Sequence, residues 1–268
     1  MKRYHAYAKA GGILSAVMIL LIVVAAFWTP YDATAMDSAA KLSPPSAAHL
    51  LGTDNLGRDI LSRVLEGAGT TLTIAVLTVA AGLFFGVLIG AFTGYYGGPL
   101  DNILMRVCDT ITAFPSFLLA LVIVSVLGTG TYNVVIALGL LFIPSFARIV
   151  RGEYARAATQ AYVDNARLMG AGPLRIMFVH ILPNIRGVLL SAVAIGFNNA
   201  VLAEASMSYL GIGVQPPDPS LGRMLSEAQT YLLSAPWFAI SAGVVIILLI
   251  LGFTLLGEGL SKEAGRRA

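Results

Sequence analysis

The sequence predicts an all-α integral membrane protein with six transmembrane helices, and three observations carry that expectation. Of its 268 residues, 57% are hydrophobic and 12% are charged, whereas soluble domains carry about 25% charged residues. The charges are gathered into short stretches between long uncharged runs. The cations fall mainly on one side of the arrangement those runs imply, which is the bias that orients a membrane protein.

A spanning helix takes about 20 mostly apolar residues. The first is expected over 11–28, behind an amino-terminal segment 1–10 that carries Lys2, Arg3 and Lys9. A cleaved signal peptide is the alternative, since Ala33-Thr34-Ala35 resembles a cleavage site. The apolar run is long for such a signal, and its loss would leave five spans with the amino end outside. Retention is therefore expected. No charge occurs from Gly67 to Leu100, which places the second span at 72–95 after a loop at 29–71. The uncharged stretch Thr110–Ala147 is too long for one helix, and Gly128-Thr129-Gly130-Thr131 divides it into spans at 104–127 and 132–150. Pro115 and Pro144 lie inside them and are expected to kink them. The fifth and sixth spans are expected at 187–205 and 237–256, followed by a tail at 261–268.

Six spans put both termini on one side. Lys2, Arg3, Lys9, Arg106, Arg148, Arg151, Arg156, Arg167, Arg175, Arg186, Lys262, Arg266 and Arg267 then share that side, while Lys41, Arg58, Arg63 and Arg223 face the other. The first set, 13 of the 17 cations, marks the cytoplasmic side. The same distribution explains the sequence pI of about 9.1 without nucleic acid, because the cations mark membrane edges and form no patch on a soluble domain.

Several kinds of chemistry find no residues here. Cys108 is the single cysteine, so no internal disulfide forms. The histidines His5, His49 and His180 are scattered and do not make up a zinc set. None of Lys2, Lys9, Lys41 and Lys262 stands in a phosphate-binding loop pattern. Serines lack a nearby His and Asp. A carrier driven by protons or sodium would bury coupling carboxylates at mid-membrane, and such residues are scarce.

Ionisable and amide residues within spans draw attention. Asn198, Asn199 and Glu204 in the fifth span read either as a polar lining of a pathway or as interhelical hydrogen-bonding groups with a membrane-edge charge. Asp109 and Arg106 read as a juxtamembrane ion pair. Gly82, Gly86, Gly90 and Gly94 recur every fourth residue and leave one face of the second span without side chains, which suits close helix packing.

The polar segment 151–186 interrupts the apolar runs. Tyr162–Met169 has helix-forming character. Gly170-Ala171-Gly172-Pro173 should stop that helix, because glycine suits a left-handed cap and proline cannot continue. A second short helix is expected over Leu174–His180, cut off by Leu182-Pro183. The spacing Asp164-Asn165-Ala166, Gly170, Leu182-Pro183 resembles the Glu-Ala-Ala loop of importer-type ABC transporter permeases, with Asp for Glu and Asn for the first Ala. On the opposite side, Gly52-Thr53-Asp54 and Gly57-Arg58-Asp59, followed by Ser62-Arg63, form a turn-rich, charged stretch in which Asp54, Arg58 and Asp59 can pair locally. By resemblance it is the signature of the dipeptide, oligopeptide and nickel permease family, C-type subunit. Leu210-Gly211-Ile212-Gly213-Val214-Gln215-Pro216-Pro217, Ser220-Leu221-Gly222 with Glu227-Ala228, and Leu256-Gly257-Glu258-Gly259-Leu260 match the same group in order.

That resemblance implies an importer-type ABC permease fold in a bacterial inner membrane, with a cytoplasmic coupling-helix loop. It implies a second permease, two cytoplasmic ATPases that hold ATP and Mg, and an extracytoplasmic substrate-binding protein. The chain itself would bind no cofactor and catalyse nothing. The coupling residues would be Tyr162, Asp164, Asn165, Ala166, Arg167, Gly170, Leu182 and Pro183, with small residues allowing close approach to an ATPase. Arg167 and Arg175 would add rim ion pairs or serve only as topology residues. The expected cargo is a short peptide. Nickel or a metal chelate is the alternative within the family, and an ATP-independent channel or carrier the alternative outside it.

Overall fold

A computed structural model describes the backbone of residues 2–264 and the side chains of residues 9–259. The expected tail 261–268 and the cations Lys2, Arg3, Lys262, Arg266 and Arg267 fall outside the residues whose side chains are described. Regular structure among the described residues is helical, with one isolated antiparallel bridge between Thr53 and Asp59. The main elements are α1 (Lys2–Ala25), α2 (Ile60–Tyr96), α3 (Gly98–Ala113), α4 (Ser116–Leu127), α5 (Thr131–Ala157), α6 (Ala161–Leu168), α7 (Pro173–Arg175), α8 (Leu182–Asn184), α9 (Arg186–Tyr209), α10 (Leu221–Ala228) and α11 (Pro236–Ala264).

Four of these are long and apolar enough to cross a membrane: α2, α5, α9 and the Pro236–Gly259 part of α11. The pair α3 and α4 makes a fifth crossing if counted as one broken span, and Lys9–Ala25 of α1 is a shorter apolar helix.

Three of the differences from the expected boundaries bear on the arrangement of the bundle. The second helix starts at Ile60, so Ile60–Thr71 are helical although the charges there suggest a loop. Asp59 is the N-cap. Its carboxylate accepts from the Ser62 backbone N–H at 2.8 Å, which satisfies a donor that the first helical turn leaves unpaired. With 37 residues, α2 is about 55 Å long, well beyond the roughly 30 Å hydrocarbon layer. The third expected span, 104–127, is no single kinked helix: α3 and α4 meet at 90°. Phe114 precedes Pro115 and takes the extended conformation (φ −89°, ψ 146°) that proline imposes on its predecessor. Pro144, by contrast, remains inside α5. Lastly, α5 continues to Ala157 and α9 begins at Arg186, which shortens the polar loop expected over 151–186.

Side-chain contacts show the direction of α3. Asp101 accepts from Arg151 Nε at 2.9 Å, Asp109 stands 3.6 Å from Arg148, and Arg148 donates to Thr112 Oγ1 at 2.5 Å. From Asp101 to Asp109 α3 rises about 12 Å, while Arg148 and Arg151 lie about 4.5 Å apart along α5. Thus α3 runs across α5 at the arginine-bearing end of the bundle. The ionic partner of Asp109 is Arg148, where the sequence suggested Arg106. Only α4 then runs along α5. It has 12 residues, a length of about 18 Å at the helical rise.

The central packing seam joins α2 to α5, which run parallel. A Cβ on Gly82 would come 2.7 Å from Phe142 Cβ, on Gly86 2.5 Å from Phe146 Cβ, on Gly90 2.6 Å from Val150 Cβ and on Gly94 2.7 Å from Tyr154 Cβ. Glycines at every fourth position on α2 thus face large residues at every fourth position on α5, as in packing of i±4 ridges. Small residues permit this approach where lipid gives no hydrophobic drive between helices. A second close contact lets α1 lie along α11, where Gly11 faces the Leu255 backbone and Gly252 faces Ser15 Oγ.

Gly86→Leu forces a branched side chain into this seam, and overpacking of this kind costs about 1–3 kcal/mol or more. The variant is expected to lose most of its monodisperse, folded yield in detergent. Gly152→Ala, whose added Cβ meets nothing within 4 Å, should retain it. Size-exclusion recovery of both variants checks this, and normal recovery of Gly86→Leu would contradict the seam.

Candidate functional site

The polar loop at the arginine end is built as a mounted helix. Gln160 is extended (φ −88°, ψ 146°), and its carbonyl accepts from Val163 N–H at 2.9 Å to start α6. Gly170 ends it with φ +81°. Its N–H donates to the Arg167 carbonyl at 2.9 Å, and the Ala171 N–H donates to Ala166 at 3.0 Å. These are the two bonds of a Schellman cap, and the left-handed position between them suits glycine.

The helix has two unlike faces. Val163 and Ala166 are buried in a cluster with Ala91, Val150, Tyr154 and Met177. Tyr162, Asp164, Asn165, Arg167, Leu168, Met169 and Gly170 are exposed. Leu168 is 86% and Met169 81% accessible, so two large apolar side chains stand side by side at the tip of the helix. Ala166, expected on an outward docking face, is instead the small residue that lets α6 sit down on the bundle. Arg167 bonds Asp164 at 3.1 Å, and its guanidinium lies 5.5 Å from the centre of the Tyr95 ring, so both charges are occupied within the chain. Through that Tyr95 contact first, and then Asp164, the pKa of Arg167 is raised above its ordinary value.

The second half of the loop departs from expectation. Leu174–His180 is helical as expected, but Leu182-Pro183 does not stop it and most of it is not α. Instead α7 runs into a wide π turn, Ile176–Ile181, which continues through α8 with Pro183 inside. Pro183 has no N–H, and its ring would strike the Val179 carbonyl in an α register. The wider turn shifts the bonding, and Leu182 N–H donates five residues back to Met177. The same Met177 carbonyl accepts from the Tyr154 hydroxyl at 3.0 Å, and Tyr154 is fully buried. Leu182 packs against this cluster, while Pro183 is exposed. His180 contributes its carbonyl, which accepts from Asn184 Nδ2 at 2.8 Å. Tyr154 was missed in the sequence, although it continues the fourfold spacing of Phe142, Phe146 and Val150.

At the opposite end, Gly52–Arg63 folds into a buried ionic clamp. Gly52 and Gly57 take φ +77° and +80°. A side chain on Gly52 would meet the Ser43 carbonyl and the Trp237 ring. The Thr53 hydroxyl bonds the Ala40 carbonyl and accepts from Ser43 N–H. The Asp54 carboxylate accepts from Arg58 Nε at 2.7 Å and Arg63 Nη1 at 2.5 Å, in addition to backbone N–H groups of Leu56 and Arg58. Glu227 closes the set: it accepts from Arg58 at 3.0 Å, Arg63 at 2.9 Å and Arg223 at 3.2 Å. Asp59, expected to pair with these charges, caps α2 and meets His49 Nδ1 at 2.9 Å. The Ser62 hydroxyl donates to Asp59 and accepts from Tyr31 N–H. Glu227 lies within a motif noted in the sequence. Its pairing with Arg58 and Arg63 leaves no sign there, because the partners belong to opposite ends of the chain.

Residues 86–264 match the family described as binding-protein-dependent transport system inner membrane component. The chain belongs to that family. It is 40% identical to the glutathione transport system permease protein GsiD of Pectobacterium atrosepticum, over 96% of this chain and 86% of that one. It is 39% identical to the dipeptide transport system permease protein DppC of Haemophilus influenzae, over 94% of this chain and 88% of that one. A solved inward-facing structure of the MetNI methionine ABC transporter superposes with a TM-score of 0.61 at 17% identity, covering 75% of this chain and 95% of that chain. That likeness shows the fold, which is that of an ABC importer permease subunit; the inner-membrane family and the several long apolar helices agree with a multi-pass membrane component.

In this permease the three polar residues of α9 go to three different places. Asn198 Nδ2 donates to Thr254 Oγ1 of α11 at 2.7 Å, an interhelical bond of the kind that holds membrane helices together. Asn199 is exposed and opens into a groove. Glu204, expected with them as a possible lining residue, is fully buried among Thr71, Ser208 and Ser220 and accepts from Ser208 Oγ at 2.7 Å. Successive helical residues are turned by about 100°, so closeness in number did not place the three on one face.

The clamp balances two buried guanidinium groups with two carboxylates. Removing one partner of such a set costs on the order of 3–5 kcal/mol, since a buried charge is left over. Glu227→Ala is therefore expected to lower the thermal unfolding midpoint of the detergent-purified permease by several degrees. Arg223→Ala, which removes the more exposed partner, should lower it far less. A Glu227→Ala midpoint equal to wild type rules out the clamp.

Proposed function

We propose that this chain is one membrane half of an ATP-driven, binding-protein-dependent importer of short peptides. It pairs with a second permease and with two cytoplasmic ATPases, and an extracytoplasmic binding protein delivers the cargo. The chain binds no cofactor and catalyses no reaction; ATP and Mg belong to the ATPases. Family membership supports the assembly, and the dipeptide and glutathione cargoes named for its relatives support the substrate class. Six crossings follow if α1 and the bent α3–α4 pair each count as one, with both termini and α6 in the cytoplasm on the side of the arginines.

The observation that carries this reading is the build of α6. Its inner face is packed into the bundle, while Leu168 and Met169 stand out into solvent beside a polar rim. Such an apolar tip on a rigid mount suits a protein groove. When the ATPases close on ATP, a body docked there displaces α6. Tyr154 and Met177 carry the displacement into α5, and the glycine seam carries it into α2. The helices then expose the pathway alternately outward and inward.

Two measurements test this. With Cys108 replaced by Ala, Leu168→Cys in the assembled complex is expected to crosslink to an ATPase subunit, and Val163→Cys, on the buried face, is not. Capture of no ATPase at position 168 refutes the docking. Gly170→Asp places a side chain at φ +81°, a conformation that costs a non-glycine residue roughly 1–2 kcal/mol. The complex should still assemble, but binding-protein-stimulated ATP hydrolysis and peptide uptake should both fall several-fold. Wild-type uptake by this variant would contradict the role of the loop.

A further inference from the structure

A groove of about 380 Å³ lies between α4, α5 and α9. It follows α5 from Ile149 to Leu138, about 16 Å at the helical rise, and so reaches from the arginine end to the middle of the bundle. Its wall is mainly apolar and includes Phe142 and Phe146. Three neutral polar side chains open into it: Ser116, Ser145 and Asn199. All three residues are exposed, and among the described residues none of these side chains makes a hydrogen bond. No ionisable side chain lines the groove.

At this depth an amide turned toward lipid, or pressed against an apolar helix, loses its bonds to water and gains none. Asn198, one residue earlier, avoids that cost by bonding Thr254. Asn199 has no such partner, so its groove holds water or a polar ligand. The volume falls within the usual range for small-molecule sites, which combine apolar walls with a few placed polar groups.

We propose that this groove is a transit subsite for peptide cargo, resting on the importer reading above. An uncharged cargo side chain lies against Phe117 and Phe142. A cargo backbone amide bonds Asn199 and Ser145, which are the specificity-determining residues of this half. Because the lining carries no charge, the subsite does not discriminate among cargoes by charge sign.

The test uses the complete complex with its binding protein in proteoliposomes and three dipeptides: glycyl-leucine, glycyl-glutamate and glycyl-lysine. Asn199→Asp introduces a charge at nearly constant volume. It is expected to reduce kcat/KM for glycyl-glutamate uptake about tenfold relative to glycyl-lysine, since like charges brought together at a desolvated site repel. The affinity of the binding protein for each peptide should be unchanged. Equal effects on all three peptides, or none, would overturn the subsite while leaving the importer reading intact. Failure of the wild-type complex to take up any of the three would overturn both. As a second measure, Ser145→Cys in a Cys108→Ala background should react with a charged, water-soluble thiol reagent in the assembled complex. An unreactive thiol there means that lipid or the second permease fills the groove, and the proposal falls.

Discussion

The approach of α2 to α5 along four glycines is the constraint on which the rest of this permease depends. Helices in lipid have no hydrophobic effect to press them together, so contact must come from dispersion forces over well-fitted surfaces. Gly82, Gly86, Gly90 and Gly94 supply the fit by receiving Phe142, Phe146, Val150 and Tyr154. The last of these residues also belongs to the polar loop, because its hydroxyl holds the Met177 carbonyl. One seam therefore governs both the helix bundle and the mounting of α6. Since α2 carries Ser62 and Arg63 at its other end, the same helix joins the loop to the ionic clamp at the far end of the bundle.

The two ends of the bundle treat charge in opposite ways. In the clamp, Asp54, Arg58 and Arg63 are buried and pair with one another and with the partly exposed Glu227, so their arrangement has few alternatives. At the arginine end the pairs Arg148–Asp109, Arg151–Asp101 and Arg167–Asp164 each keep a partner substantially exposed. Exposed pairs of that kind contribute at most about 1 kcal/mol each. One end is held by charge, and the other is held by apolar packing beneath a polar surface. Movement at the arginine end can thus exchange ion pairs cheaply, whereas movement at the clamp would expose or unpair buried charge.

Legibility in the sequence followed the range of the interactions involved. The uncharged runs marked the apolar helices, the fourfold glycines marked the seam, and Gly170 marked a left-handed cap, because each signal is local. Pro115 was legible as a kink within one span, but the 90° break between α3 and α4 was not, since the seat of α3 beside Arg148 and Arg151 of α5 is a long-range contact. The start of α2 was hidden because Arg63 and Glu66 look like loop charges until Glu227, far along the chain, supplies a partner for the buried Arg63. The spacing of the polar loop was legible as the family's motif, yet which of its residues face outward was not. Spacing alone does not tell that Ala166 lies beneath the helix while Leu168 and Met169 stand above it.

That division of α6 into a seated face and a free face bears on how force would pass through the chain under the proposed docking. A helix held only by exposed ion pairs would roll when pushed, since such pairs are weak and replaceable. Here Val163 and Ala166 are locked into a close-packed cluster with Ile176, Met177 and Ile181, and packed interiors transmit strain instead of absorbing it. The π turn contributes to the same end. By accepting from both Leu182 N–H and the Tyr154 hydroxyl, the Met177 carbonyl ties the loop to α5 at the point where Pro183 would otherwise have weakened the helix. A push on Leu168 and Met169 therefore has no soft element to deform before it reaches α5. From α5 the glycine seam leaves α2 no room to stay behind.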